Sequence, residues 1–301
     1  MKKIPLETTV AGAYRFLFTN IVSIIGTVWL PYVLLFGFLA GCIYLILPHG
    51  VYHGDFSQLD RSILWSPWLI LARGLAGIMG LIAAAMITVN LMRHSLGLKQ
   101  TTTFVYFSLA APVWRFVGAI LLAAIVLAIV ALLLVLIGVL FGFLVMPHMP
   151  HAAGVAILVL LCIALACAFI YGSVRLCFFI PAVVVAEERI ALGRSWQLGG
   201  GNFWRIVVVW LLIAIPVWFI IGIVMQATIL PIVMSEASRL PHHPTPDELK
   251  PLFHALLTAL PIVLPVALIG GIAIRALMAG AMGTAYNAIT EKPAEDPKAS
   301  A

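Results

Sequence analysis

Six runs of about twenty or more apolar residues constrain this chain more than any other feature. They are Ile21–Leu47, Trp68–Met92, Phe116–Met146, Gly154–Val174, Ile206–Met234 and Leu256–Ala276, the last extendable to Ile289. A helix of about 20 such residues crosses the hydrocarbon core of a bilayer. Of the 301 residues, 63% are hydrophobic and 9% charged, where soluble domains hold roughly 45–50% and about 25%. Water cannot be the solvent for that much apolar surface. The expected fold is all-α, a polytopic membrane protein with six transmembrane helices in one domain over 1–289. The polar tail 290–301 is expected to be disordered and cytoplasmic.

The connecting segments alternate in charge. Lys2, Lys3, Arg15, Arg93, Lys99, Arg115, Arg175, Arg189, Arg194, Arg205, Lys292 and Lys298 fall on one side. The other side holds Arg61, Arg239 and Lys250, with Arg73 just inside the second run. Basic loops stay in the cytoplasm, so both termini are expected there. Met1-Lys2-Lys3 could begin a signal peptide, but the first apolar run is too long for one and reads as an uncleaved span. The basic residues form no continuous patch, so no nucleic-acid partner is expected.

Ahead of the first run, Val10, Tyr14, Leu17, Phe18 and Ile21 recur at helical spacing, with Glu7, Arg15 and Asn20 off that stripe. This pattern predicts an amphipathic helix lying in the membrane surface. Phe104–Trp114 and Ile190–Leu198 read alike. Trp114-Arg115 and Trp204-Arg205 are 90 residues apart, and Asn20 corresponds to Asn202. A threefold repeat of interfacial helix, span, loop and span is expected over about 1–95, 96–187 and 188–289. Pro31, Pro216, Pro231, Pro261 and Pro265 lie within the runs and predict kinks.

The richest stretch is 175–205, RLCFFIPAVVVAEERIALGRSWQLGGGNFWR. Pro181 is expected to end the fourth span, and Glu187 and Glu188 to open a short helix. Arg189 and Arg194 would lie at phosphate level, with Trp196 and Leu198 facing lipid. Gly199-Gly200-Gly201 would turn the chain, Asn202 would cap the next helix, and Phe203, Trp204 and Arg205 would anchor it at the headgroups. Each residue thus has an adequate role in turning the chain and anchoring two helices.

Pro181, Glu187 or Glu188, Arg194-Ser195-Trp196, Leu198 and Gly201-Asn202-Phe203-Trp204-Arg205 together resemble a family of bacterial six-span inner-membrane proteins. That family includes the membrane domain attached to some glycerophosphoryl diester phosphodiesterases and the YciC-like membrane proteins. The resemblance implies a six-span fold over most of the chain. Gly199-Gly200 departs from the polar and basic residues common there. The phosphodiesterase catalytic domain is absent, so its activity is not implied.

Other chemistry is thinly supported. Ser195 has no His or Asp nearby in sequence and does not read as a nucleophile. Seven histidines fall on the outer side, His49, His53, His148, His151, His242, His243 and His254, without metal-ligand spacing. The cysteines, Cys42, Cys162, Cys167 and Cys177, lie in or beside apolar runs and read as small buried hydrophobes. No metal or cofactor is expected. Arg275 is either a functional charge inside the last span or the mark of that span's end, with Ala276–Ile289 a further interfacial stretch.

The leading expectation is a non-enzymatic protein that organises lipid, contacting anionic headgroups through Arg175, Glu187, Glu188, Arg189, Arg194, Ser195, Trp196, Asn202, Trp204 and Arg205, or that supports envelope protein partners. The alternatives are a transporter or channel, favoured by the kinks and Arg275, and an outer-face metal-dependent enzyme, resting on the histidines.

Overall fold

A computed structural model describes residues 2–46, 66–98, 107–144, 148, 150–238 and 250–290. Among these the chain is helical and carries no strand. The helices are α1 (Leu6–Thr19), α2 (Ile21–Ile46), α3 (Pro67–Ser95), α4 (Ala111–Leu144), α5 (His151–Cys177), α6 (Ile180–Ala186), α7 (Leu192–Gly199), α8 (Phe203–Ala237) and α9 (Lys250–Thr290). Six of them are long and apolar enough to cross a membrane, α5 counting together with α6 as one stretch, Ala153–Ala186. This is a polytopic membrane protein. The prolines sit inside the continuous helices α2, α8 and α9.

The long helices pack as antiparallel neighbours, α2 with α3, α4 with α5 and α8 with α9. Their burial is uneven. In the most apolar window of α4, 6% of residues are buried, against 44% in α3. Among the described residues the remaining apolar surface of α4 is left uncovered.

The core lies at the end where α3, α5 and α9 finish and α4 and α8 begin. Met86–Met92 of α3, Val113–Ala123 of α4, Leu176–Val185, Ile206 and Ala276–Tyr286 contribute most of its side chains. Small residues permit the close approach there. A Cβ on Gly280 would stand 3.0 Å from the Cα of Ala13, and one on Gly283 would stand 2.5 Å from the Ser95 hydroxyl. A buried polar pair joins α2 to α3: Asn90 donates to the Thr27 hydroxyl at 2.6 Å, and Thr27 donates to the Ser23 carbonyl at 2.8 Å. In an apolar medium such a pair holds two helices together by about 1 kcal/mol.

The amphipathic helix α1 forms as expected, but its apolar stripe is covered by protein. Leu6, Val10, Tyr14 and Leu17 pack around Ala13 against Val209 and Ile213 of α8 and Leu277 and Ala281 of α9. Gly12 faces Thr284 and Phe16 faces Gly280, so α1 runs antiparallel to α9. Phe18 remains largely exposed. A bilayer and a groove between two helices offer the same apolar surroundings, and the groove is nearer.

Two further expectations about local structure change. Residues 104–106 of the second proposed interfacial helix lie outside the described residues, 107–110 are not helical, and 111–114 already belong to α4. Ala276–Ile289 is no separate stretch, because α9 passes unbroken through Arg275. The tail 291–301 also lies outside the described residues.

Candidate functional site

The segment 175–205 folds at the buried end of the bundle, and its side chains are placed differently from the sequence reading. The α5 helix ends at Cys177. Pro181 does not end it but occupies the first turn of α6, where its missing N–H costs nothing. Glu187 and Glu188 follow the end of α6 and open no helix. Glu188 adopts φ 52°, a left-handed conformation that turns the chain.

That turn is fastened by charge. Glu187 is largely buried and accepts hydrogen bonds from Arg189 at 2.6 Å, Arg194 at 3.0 Å and the Tyr286 hydroxyl at 3.3 Å. Burial acts to raise the Glu187 carboxyl, but the hydrogen bonds and charge of Arg189 and Arg194 outweigh it. The net shift is below the ordinary carboxylate value. Glu188 pairs with Arg115 at the start of α4, 3.3 Å away. The two carboxylates therefore link the turn to α4, α7 and α9.

The α7 helix crosses the end of α5. Ser195 is fully buried, and its hydroxyl donates to the Leu176 carbonyl, so it is engaged in structure. A Cβ on Gly199 would stand 2.6 Å from the Arg175 carbonyl oxygen. Leu198, expected to face lipid, is 7% exposed and belongs to the core. Trp196 is partly exposed. Its ring lies 4.2 Å beneath the Arg175 guanidinium, and its carbonyl accepts from Arg175 Nε at 3.1 Å. Arg175 also donates to the Tyr171 hydroxyl at 3.1 Å.

Gly201 turns the chain at φ 71°. The Asn202 side chain makes no cap on α8. Its oxygen accepts the Ile4 N–H at 3.0 Å, and its Nδ2 donates to the Lys2 and Leu198 carbonyls. Arg205 donates to the Ile4 carbonyl. Phe203 packs edge-on to Trp204 at 5.1 Å and beside Tyr171 at 4.9 Å, while Trp204 is 75% exposed. Asn20, its proposed counterpart, also back-bonds to the carbonyl four residues earlier, Phe16, at 3.0 Å. It meets the His94 ring at 2.8 Å.

Arg275 lies apart from this cluster. It is half-buried in α9, its guanidinium 5.8 Å from the Tyr32 ring. Of the outer histidines, His49, His53, His242 and His243 lie outside the described residues. His148 contacts the Leu144 carbonyl at 3.0 Å.

Sequence reasoning missed Tyr171 and Ile4, and Tyr286, whose place near a span end suggests an interfacial ring, is instead buried against Glu187. Tyr171 was within reach, since it precedes Arg175 by four residues on one helix face. The contacts of Tyr286 and Ile4 carry no local signal, because their partners are 99 and 198 residues away. No family model, curated protein or solved structure matches the chain.

Proposed function

We propose that this chain is a non-enzymatic protein of the bacterial inner membrane, with both termini in the cytoplasm, that organises lipid or supports envelope partners through its basic end. The observation that carries this reading is the environment of Arg175. Its partners are a carbonyl, a phenol and two aromatic faces, none of which neutralises its charge. Arg205 likewise meets a carbonyl oxygen. Exposed Trp204 and Trp114 stand near the same end, as amphipathic rings do at headgroup level. Each basic residue near an anionic surface contributes roughly 1 kcal/mol. The resemblance of 175–205 to the membrane domain of some glycerophosphoryl diester phosphodiesterases belongs to the same proposal.

A transporter reading draws on Arg275, a half-buried charge inside a spanning helix. The grooves beside the spans favour lipid instead, because apolar side chains dominate their walls.

The test is the melting temperature of the full chain in vesicles of phosphatidylcholine alone and of phosphatidylcholine with phosphatidylglycerol. A higher value in the anionic vesicles is expected. Equal values, or solute flux above empty vesicles, would overturn the reading.

A further inference from the structure

We propose that the groove between α4 and α5, bounded at its basic end by α7, is a site for one anionic phospholipid, with an acyl chain in the groove and the phosphate on Arg175. This rests on the lipid-contacting reading above and gives it one location.

The groove has a volume of about 450 Å³, within the range of ligand sites. Leu127 and Val130 of α4, Phe169 and Gly172 of α5, and Leu192 and Trp196 of α7 are among its lining residues. At Gly172 a Cβ would meet nothing within 4 Å, so the missing side chain leaves the groove open at mid-height.

Trp196 connects this apolar space to a charge. The same ring that lines the groove carries the Arg175 guanidinium 4.2 Å above it, and Tyr171, also a lining residue, takes one of its hydrogen bonds. Arg115, Arg189 and Arg194 each have a glutamate partner. Among the described residues no carboxylate lies within ion-pair distance of Arg175. A guanidinium has five donors in a planar fork suited to phosphate, and two nitrogens of Arg175 are each engaged once, by neutral oxygens.

A phospholipid is divided as the site is, into an apolar chain and a phosphate at its end. A soluble anion would leave the groove unfilled. A zwitterionic lipid would bring a second cation beside Arg175 together with its phosphate.

Native mass spectrometry of the full chain in mild detergent tests this, with phosphatidylglycerol and phosphatidylcholine added in equal amounts. The wild type should retain a single phosphatidylglycerol. Arg175→Gln should lower its occupancy about tenfold, the loss expected for a hydrogen bond to a charged group. Because Arg175 also holds α7, Gly172→Leu provides a second probe. It fills the groove without touching the cation and improves helix propensity, so it should lower retention while keeping the melting temperature. If both variants keep the wild-type preference for phosphatidylglycerol, the site is wrong while the broader lipid reading stands. If the wild type shows no preference, both fail. Displacement of the lipid by excess inorganic phosphate would mark a soluble-anion site and also overturn the proposal.

Discussion

The side-chain oxygen of Asn202 accepts the backbone N–H of Ile4 at 3.0 Å, joining residues 198 apart in sequence. Its amide also donates to the Lys2 carbonyl. The start of the chain is thereby fastened to the entry of α8, and α1 is aligned in the groove between α8 and α9. Asn202→Ala leaves the buried Ile4 N–H without this acceptor, at a cost of about 1–3 kcal/mol. Hydrogen exchange at the Ile4 amide should accelerate in this variant, while the core of α3 stays protected. Unchanged exchange at Ile4 would show that the clasp is dispensable.

Two glycines of α7 should respond oppositely to alanine. Gly199 is tight against α5, where a Cβ would stand 2.6 Å from the Arg175 carbonyl oxygen, whereas at Gly193 it would meet nothing within 4 Å. Gly199→Ala forces a backbone shift costing about 1–3 kcal/mol. Gly193→Ala should be neutral or stabilising by about 0.5–1 kcal/mol through helix propensity. Melting temperatures in one detergent compare the two, and equal losses would contradict the close approach of α7 to α5.

The Glu187 clamp predicts a definite pH dependence. Its folded carboxyl lies below the ordinary value of 4.5, so the unfolded chain takes up the proton more readily as pH falls. The contribution of the clamp is complete above the unfolded value and disappears as pH drops through the lower, folded one. Glu187→Gln should cost about 1–2 kcal/mol at neutral pH, discounted for the exposure of Arg189. The difference from wild type should narrow in the acid range. A gap in melting temperature that widens on acidification would contradict the clamp.

Reporter fusions test the orientation on which the functional proposal depends. Fusions after residues 100, 200 and 295 should report one compartment, the cytoplasm, and those after residues 150 and 245 the other. A periplasmic signal from the fusion after Gly200 would place the arginine-rich end on the wrong side for the reading above.

The hydropathy pattern by itself determined the fold class and the six spans. Water cannot solvate runs of such length, and in lipid a single helix must satisfy its own backbone, so the spans need no information from elsewhere in the chain. The clustering of Arg, Trp, Gly and Asn in 175–205 was also legible, because it lies in the sequence itself. Tertiary structure alone decided how those side chains are used. The stripe on α1 specifies an apolar surface and not which one, so only packing assigned it to α8 and α9. Asn202 offers a short carbonyl and amide to any group in reach, and the fold brought Ile4 there before the α8 amides. Glu187 and Glu188 suit either a helix start or a charge clamp, and Tyr286, 99 residues on, helped select the clamp. Apolar burial over a long run is additive and local. A hydrogen bond or ion pair needs its partner within about 3 Å, and only the folded chain supplies that distance.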